Sequence, residues 1–342
     1  MRAAGVRAVV DASQIAVVGL FEVVTHIPRI YAEFRRLAAA AAAAKPDLVI
    51  LTDSPDFHLR LAPRLKRLGI PVLYLVAPQV WAWRKKRIDA IRRNIDRLLC
   101  IFPFEEEFFR RHGVQADYIG HPLARIVKPS LSKEEFFQKH GLEEGHPLVT
   151  LLPGSRQGEI SRHLASLLVA TETLRPQCSC SFVLALPAGL RHAAAVREQA
   201  EGRPVVVVEG ETWDAIAHAD LALAASGTVT VEAALLGTPM VTFYRVSRPS
   251  WWMGRVLVRV PFYSMVNLVA ERRVVPELMQ NEMTGESIAA EALRLLNRPA
   301  DREEMKRSLA QVAARLASDA DPMQKAARIA EEYLNHGVTH AL

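Results

Sequence analysis

The sequence predicts an α/β protein made of two doubly wound domains facing a cleft. Three observations carry that expectation. Apolar runs of strand length recur along the chain, and they are continuous rather than alternating; such strands are buried on both faces, as in a parallel sheet covered by helices. Segments of helical spacing separate them, so strand and helix alternate in the manner of doubly wound domains. Finally, 342 residues exceed one ordinary core, and a polar stretch at 128–147, punctuated by Pro129, Gly141, Gly145 and Pro147, offers a boundary.

Taken in order, the chain opens with MRAAG and reaches no strongly apolar strand before residue 47. A doubly wound domain ordinarily starts with a strand and a glycine-rich turn. Either the N-terminal domain is smaller than usual, or its first unit is absent and the domain incomplete. The alanine run at 38–44 predicts helix, because alanine has the highest helix propensity. Strands are expected at 47–52, 72–76, 98–102, 148–152, 182–186, 205–208, 221–224 and 240–243, with a helix starting near Thr228 and amphipathic helix from 286 to about 335. The expected domains are 1–140 and 146–342, the second ending in these helices, with ligands at the carboxyl ends of the strands.

A chain that is 50% hydrophobic and 23% charged is folded rather than disordered. Its formal charge of +6 favours anionic partners. No helix-turn-helix, zinc-finger or aromatic-rich RNA motif is present, so an enzyme of anionic substrates is expected and nucleic acid is not. The first residues lack the progression of a secretory signal, and no apolar run reaches the ~20 residues of a membrane span. Three cysteines, Cys100, Cys178 and Cys180, suggest neither a disulfide framework nor a zinc site, and a reducing cytoplasm is expected. With eleven scattered histidines and no HExxH, paired CxxC, Walker or EF-hand pattern, no metal and no cofactor are expected.

Four segments carry candidate chemistry. In ASGTVTVEAALLGTPM (225–240) a strand gives way to a small-residue loop and a helix start. Ser226, Gly227 and Thr228 would let a diphosphate reach free N–H groups there. Glu232, one turn on, could accept ribose hydroxyls; simple capping uses the same residue types and fits equally well. LPGSR (152–156) also follows a strand, with Ser155 offering a hydroxyl and an N–H, and Arg156 a fixed charge for phosphate; a plain turn with a solvated arginine is the competing reading. In TDSPDFH (52–58), Asp53 stands at the carboxyl end of a strand, where a carboxylate can act as general base; capping by Asp53 or Asp56 competes evenly, and His58 reads as structural. Between 245 and 262, Trp251, Trp252, Arg255 and Arg259 belong to a helix suited to an anionic membrane surface or to the protein's own core. The tryptophans of APQVWAWR (77–84) fit either ligand contact or packing.

These strings, in this order, resemble the lipid-A-disaccharide synthase family. The likeness rests on VVGLFEVVTHIPRI (17–30), TDSPDFH, APQVWAWRKKR (77–87), FPFE (102–105), IGHPL (119–123), LLPGSRQGEI (151–160), ASGTVTVEAA, PMVTFYR (239–245) and SMVNLVAERRVVPELMQ (264–280), which together span nearly the whole chain. The resemblance implies two Rossmann-like domains of the GT-B glycosyltransferase type, an acceptor-side one first and a UDP-sugar-binding one second. It implies metal-independent, inverting transfer of 2,3-diacylglucosamine from UDP to 2,3-diacylglucosamine 1-phosphate (lipid X), at the cytoplasmic face of the inner membrane of Gram-negative bacteria, in lipid A and lipopolysaccharide biosynthesis. Asp53 would then serve the acceptor hydroxyl and Arg156 the departing UDP. Ser155, Ser226, Gly227 and Thr228 would hold the diphosphate, Glu232 the ribose, and Asn267 and Gln280 would line the same cleft. Trp251, Trp252, Arg255 and Arg259 would meet the lipid, and a homodimer is a family-based expectation. The departure lies at the front, where the family's strand and glycine-rich turn, similar to GEASGD, have no counterpart. Another UDP-sugar enzyme of this fold, or a non-catalytic relative, are the competing readings.

Overall fold

The computed structural model describes residues 5–10, 20–83, 87–258 and 260–339. Two compact units emerge, one formed by Met1–Gly120 with Ala320–Leu342, the other by His121–Asp319.

The first unit runs α1 (Leu20–Ala44), β1 (Val49–Thr52), α2 (Pro55–Arg67), β2 (Val72–Leu75), α3 (Val80–Trp83), α4 (Ile88–Asn94), β3 (Arg97–Cys100), α5 (Pro103–Arg111) and β4 (Ala116–Tyr118). Its four strands are parallel and lie in chain order, β1-β2-β3-β4. Right-handed crossovers between strands in that order place α2, α4 and α5 on one face. The buried cluster there includes Leu61, Leu65, Ile91 and Phe109, joined by Phe34 of α1.

The second unit runs α6 (Leu123–Ile126), α7 (Lys133–His140), β5 (Leu148–Leu152), α8 (Gln157–Leu174), β6 (Ser181–Leu186), α9 (Ala193–Ala200), β7 (Val206–Glu209), α10 (Thr212–Ala217) and β8 (Leu221–Ala225). It continues with α11 (Thr228–Leu235), β9 (Met240–Tyr244), α12 (Arg248–Leu257), α13 (Met265–Ala270), β10 (Glu277–Met279), α14 (Gly285–Asn297) and α15 (Pro299–Leu316). The parallel sheet has the order β10-β9-β8-β5-β6-β7. The chain therefore starts in the middle at β5, winds outward through β6 and β7, and returns on the other side of β5 at β8. The loops leaving β5 and β8 diverge, and a crevice opens between them. The last helix, α16 (Pro322–Thr339), rejoins the first unit.

This division differs from the expected one at 140–146, for two physical reasons. Residues 121–140 are bound to the second unit: the Asp214 carboxylate accepts the N–H groups of Ser130 and Leu131, both at 2.7 Å, and Phe136 and Phe137 are buried. At the other end, Ile329 and Ala330 of α16 pack on Leu73, Leu99 and Ile119. The cysteines also depart from expectation, since Cys178 and Cys180 are joined by a disulfide while Cys100 is free and buried. Among the described residues no helix is long and apolar enough to cross a membrane, and no group of three or more His, Cys, Asp or Glu could hold a metal ion.

Candidate functional site

The crevice in the second unit holds a cavity of about 780 Å3, lined by Leu152, Ser155, Arg156, Ser226, Thr228 and Glu232 among others. Its floor is the carboxyl ends of β5, β6 and β8. Glycine at 227 is the N-cap of α11 and no side chain caps that helix, so its free N–H groups and dipole face the loop. A Cβ at Gly227 would meet nothing within 4 Å, so close approach does not explain the glycine. Ser226 is committed on its donor side, its N–H to the Phe243 carbonyl at 2.8 Å and its hydroxyl to the Tyr263 carbonyl at 3.0 Å. The hydroxyl oxygen retains lone pairs but no proton to give. Glu232 accepts a hydrogen bond from the Trp213 indole, yet burial pushes its carboxyl up from the ordinary range. A carboxylate in that state gains from hydroxyl donors.

The LPGSR loop is built differently from expectation. Glu159, in the first turn of α8, folds back and accepts the N–H of Ser155 at 3.2 Å and that of Arg156 at 3.3 Å through Oε2. Its Oε1 accepts the Arg156 guanidinium at 3.2 Å and the Tyr244 hydroxyl at 3.0 Å. The Ser155 amide expected to serve a phosphate is thus already paired, and what the loop offers is the Ser155 hydroxyl and Arg156, whose side chain is 65% exposed. Glycine at 154 is required: at φ 116°, a Cβ would sit 2.8 Å from Glu159 Oε2. Buried His163 braces the loop from behind, its Nδ1 on the Pro153 carbonyl at 2.7 Å and its Nε2 accepting the Arg245 N–H at 3.1 Å. The sequence signal for Glu159 is a glutamate at N3 of the following helix, the spacing of a capping box.

Asn267 and Gln280 do not line this cavity. The Asn267 amide is fully buried and fully spent, donating to the Val275 carbonyl at 3.0 Å and Glu277 at 2.9 Å while accepting from the N–H groups of Val274 and Val275. Gln280 pairs both ends of its amide with the Val246 backbone, at 3.1 and 3.0 Å. Both residues hold loops in shape; polar type alone did not distinguish that from ligand contact.

On α12, Trp252 is 68% exposed and Arg255 lies over its ring at 5.9 Å. Trp251 is half-buried beside Tyr263. Arg259 lies outside the described residues, as do Arg84, Lys85 and Lys86 of the 77–87 string and residues 17–19 of the first one.

In the first unit, Asp53 follows β1 and lines a separate cavity of about 270 Å3 together with Pro55, Tyr74, Val76 and Arg87. Asp53, Ser54 and Val76 all carry positive φ, at 54°, 41° and 64°. Each such non-glycine residue costs about 1–3 kcal/mol. No side chain caps α2, which removes capping as the explanation of either aspartate. Asp56 instead pairs with Arg87. The Asp53 carboxylate makes no hydrogen bond or ion pair among the described residues, and its side chain stands exposed. His58 Nδ1 is bonded to the Asp53 carbonyl at 2.8 Å, a structural role.

Two Rossmann-type units, the second with a crevice at the carboxyl ends of its strands, define the class: an α/β protein of the GT-B glycosyltransferase architecture. Two solved structures share that fold across most of the chain. UDP-GlcNAc 2-epimerase from Neisseria meningitidis, bound to UDP-GlcNAc, has a TM-score of 0.59 at 14% identity, covering 94% of this chain and 83% of that one. A glycosyltransferase from Rickettsia africae has a TM-score of 0.55 at 11% identity, covering 89% and 81%. At those identities the likeness is one of fold. The family model for lipid-A-disaccharide synthetase matches residues 1–331, and the chain belongs to that family. Lipid-A-disaccharide synthase of Solibacter usitatus is 60% identical over 341 residues, covering 99% of this chain and 89% of the relative. The Myxococcus xanthus enzyme of that name is 44% identical over 319 residues, covering 92% and 83%.

Proposed function

We propose that this chain joins two acylated glucosamines, transferring 2,3-diacylglucosamine from UDP to the 6-hydroxyl of 2,3-diacylglucosamine 1-phosphate to form lipid A disaccharide 1-phosphate. The observation that carries the reading is its 60% identity over 99% of the chain to a lipid-A-disaccharide synthase. The site chemistry agrees with it. In the transfer the acceptor O6 forms a bond to C1 of the donor sugar with inversion, and the C1–O bond to the β-phosphate breaks. The O6 proton passes to Asp53, and the electron pair leaves on UDP. Arg156 and the uncapped start of α11 meet the charge that develops on the diphosphate. The Ser155 hydroxyl and the N–H groups of Gly227 and Thr228 hold the diphosphate, with Ser226 shaping that loop rather than donating to it, and Glu232 holds the ribose, without a metal. On this reading the first unit, Met1–Gly120 with Ala320–Leu342, serves the acceptor and the second, His121–Asp319, the donor. Both substrates carry acyl chains, and the exposed Trp252 with Arg255 on α12 suits the surface of an anionic bilayer, the cytoplasmic face of the inner membrane.

The test is UDP release by the whole chain. Release is expected only with both acylated sugars present, and Asp53→Asn is expected to lower kcat by about a hundredfold or more. Turnover of unacylated UDP-N-acetylglucosamine alone would instead support an epimerase-type reaction, and Asp53→Asn turnover within a few-fold of the unmodified chain would remove Asp53 as the base.

A further inference from the structure

Among the described residues of the first unit, three of the four non-glycine residues with left-handed backbone gather at one place, the fourth being Lys45. The three non-glycine residues with left-handed backbone next to the cavity, Asp53, Ser54 and Val76, sit where two neighbouring parallel strands end. Valine is β-branched, and in that region it is a genuine outlier. Strain of this kind persists only where surrounding groups hold it, and it gathers at functional sites.

For residues 53 and 54 the holding groups converge on a single atom. The Asp53 carbonyl oxygen accepts the Tyr74 hydroxyl at 2.6 Å and bonds His58 Nδ1 at 2.8 Å. The sheet register produces this geometry. Tyr74 of β2 pairs with Leu51 of β1, so its phenol reaches past its partner to the point where the chain leaves the strand. His58 stands one turn into α2 and reaches back, its ring edge-on to Tyr74 with centroids 6.4 Å apart. Burial, with the Asp53 and Asp56 carboxylates nearby, holds the phenol well above its ordinary range, so it remains a donor.

We propose that Tyr74 and His58 are positioning residues: by clamping the Asp53 carbonyl they hold residues 53 and 54 left-handed and keep the Asp53 carboxylate free and turned to the cavity. A buried tyrosine needs an acceptor in any fold. Here the acceptor belongs to a strained residue, a second donor meets the same oxygen, and the carboxylate of that residue is uncommitted. The inference rests on the reading that Asp53 serves the acceptor hydroxyl.

The experiment measures UDP release from UDP-2,3-diacylglucosamine and 2,3-diacylglucosamine 1-phosphate by the whole chain and three variants: Tyr74→Phe, Asp53→Asn, and Tyr74→Phe combined with Ser54→Gly. Tyr74→Phe is expected to lower kcat about tenfold or more while both KM values stay within about threefold, because misaiming a catalytic group costs rate rather than binding. Glycine adopts left-handed backbone without strain, so the double variant is expected to recover part of that loss. A Tyr74→Phe kcat within about threefold of the unmodified chain, beside an Asp53→Asn kcat depressed about a hundredfold, would overturn the inference and leave the functional reading intact. Asp53→Asn turnover near that of the unmodified chain would instead sink the functional reading. If Tyr74→Phe unfolds and Ser54→Gly recovers nothing, Tyr74 is only a core residue and the proposal fails.

Discussion

At the scale of single residues, the two carboxylates that most shape the chain are ones that pattern reading passed over, Glu159 and Glu105. Both sit three positions into a helix and turn back to cover N–H groups, which makes them look like ordinary caps. Glu159 spends its charge on Arg156, the arginine proposed to meet the diphosphate, so on that reading phosphate and carboxylate compete for it. Glu105 is fully buried, accepting the Trp81 indole at 3.0 Å and the Phe102 N–H at 3.2 Å, and it ties FPFE to the APQVWAW string. Burial outweighs those bonds and raises its pKa from 4.5 to about 7. A carboxyl raised in the folded state binds more protons there than in the unfolded chain. Its stability contribution is therefore complete below the ordinary value and is lost as pH rises through about 7. The full swing is on the order of 3 kcal/mol. Glu105→Gln cannot ionise but leaves one of the two N–H donors facing an amide NH2. It is expected to be less stable than the unmodified chain by more at pH ~5 than at pH ~8, in urea unfolding at each pH. An equal difference at the two pH values would show that Glu105 titrates normally.

Among elements, legibility followed apolar content. The runs at 148–152 and 221–224 coincide with β5 and β8 almost residue for residue, because a strand buried on both faces must be continuously apolar. The strands β4 and β10 have three residues each, ADY and ELM, and a span so short carries no period to detect. Helices α14, α15 and α16 were one amphipathic tract in the sequence. Their breaks fall at Pro299 and Pro322, which are turn and helix-start residues that a periodicity reading runs across. One close approach between elements was also hidden. At Gly285, a Cβ would lie 2.4 Å from Val169 Cγ1 and 3.0 Å from the Ser166 carbonyl oxygen, so α14 meets α8 at backbone distance. In an exposed helix, glycine to alanine adds up to about 1 kcal/mol. Here overpacking costs about 1–3 kcal/mol and reverses the sign. Gly285→Ala is accordingly expected to lower Tm by several degrees. A higher Tm would mean that α8 and α14 do not approach so closely.

For the whole molecule, the decisive feature is that the chain leaves its first unit at Gly120, builds the second, and returns at Ala320. Sequence order alone assigns α16 to the second unit, since nothing local marks a helix as belonging to a sheet some 200 residues earlier. The contacts settle it. Ile329 and Ala330, with the partly buried Ala326 and Tyr333, cover Leu73, Leu99 and Ile119. The Lys325 amine donates to the Tyr118 carbonyl at 2.6 Å. Burying large apolar side chains stabilises by about 1.5–3 kcal/mol each, on both sides of the contact, so the helix contributes on the order of 5 kcal/mol. That is comparable with the entire margin of a typical domain, about 5–15 kcal/mol. Deleting residues 320–342 is therefore expected to open the first unit while sparing the second. Hydrogen exchange would show it: amides of β2 and β3 should lose most of their protection, and those of β5 and β8 should keep theirs. Because Asp53 and Tyr74 belong to the unit that opens, the same deletion should abolish transfer while UDP binding by the second unit persists. Equal loss of protection in both sheets would mean that the two units unfold as one, and that α16 stabilises the whole chain rather than the first unit.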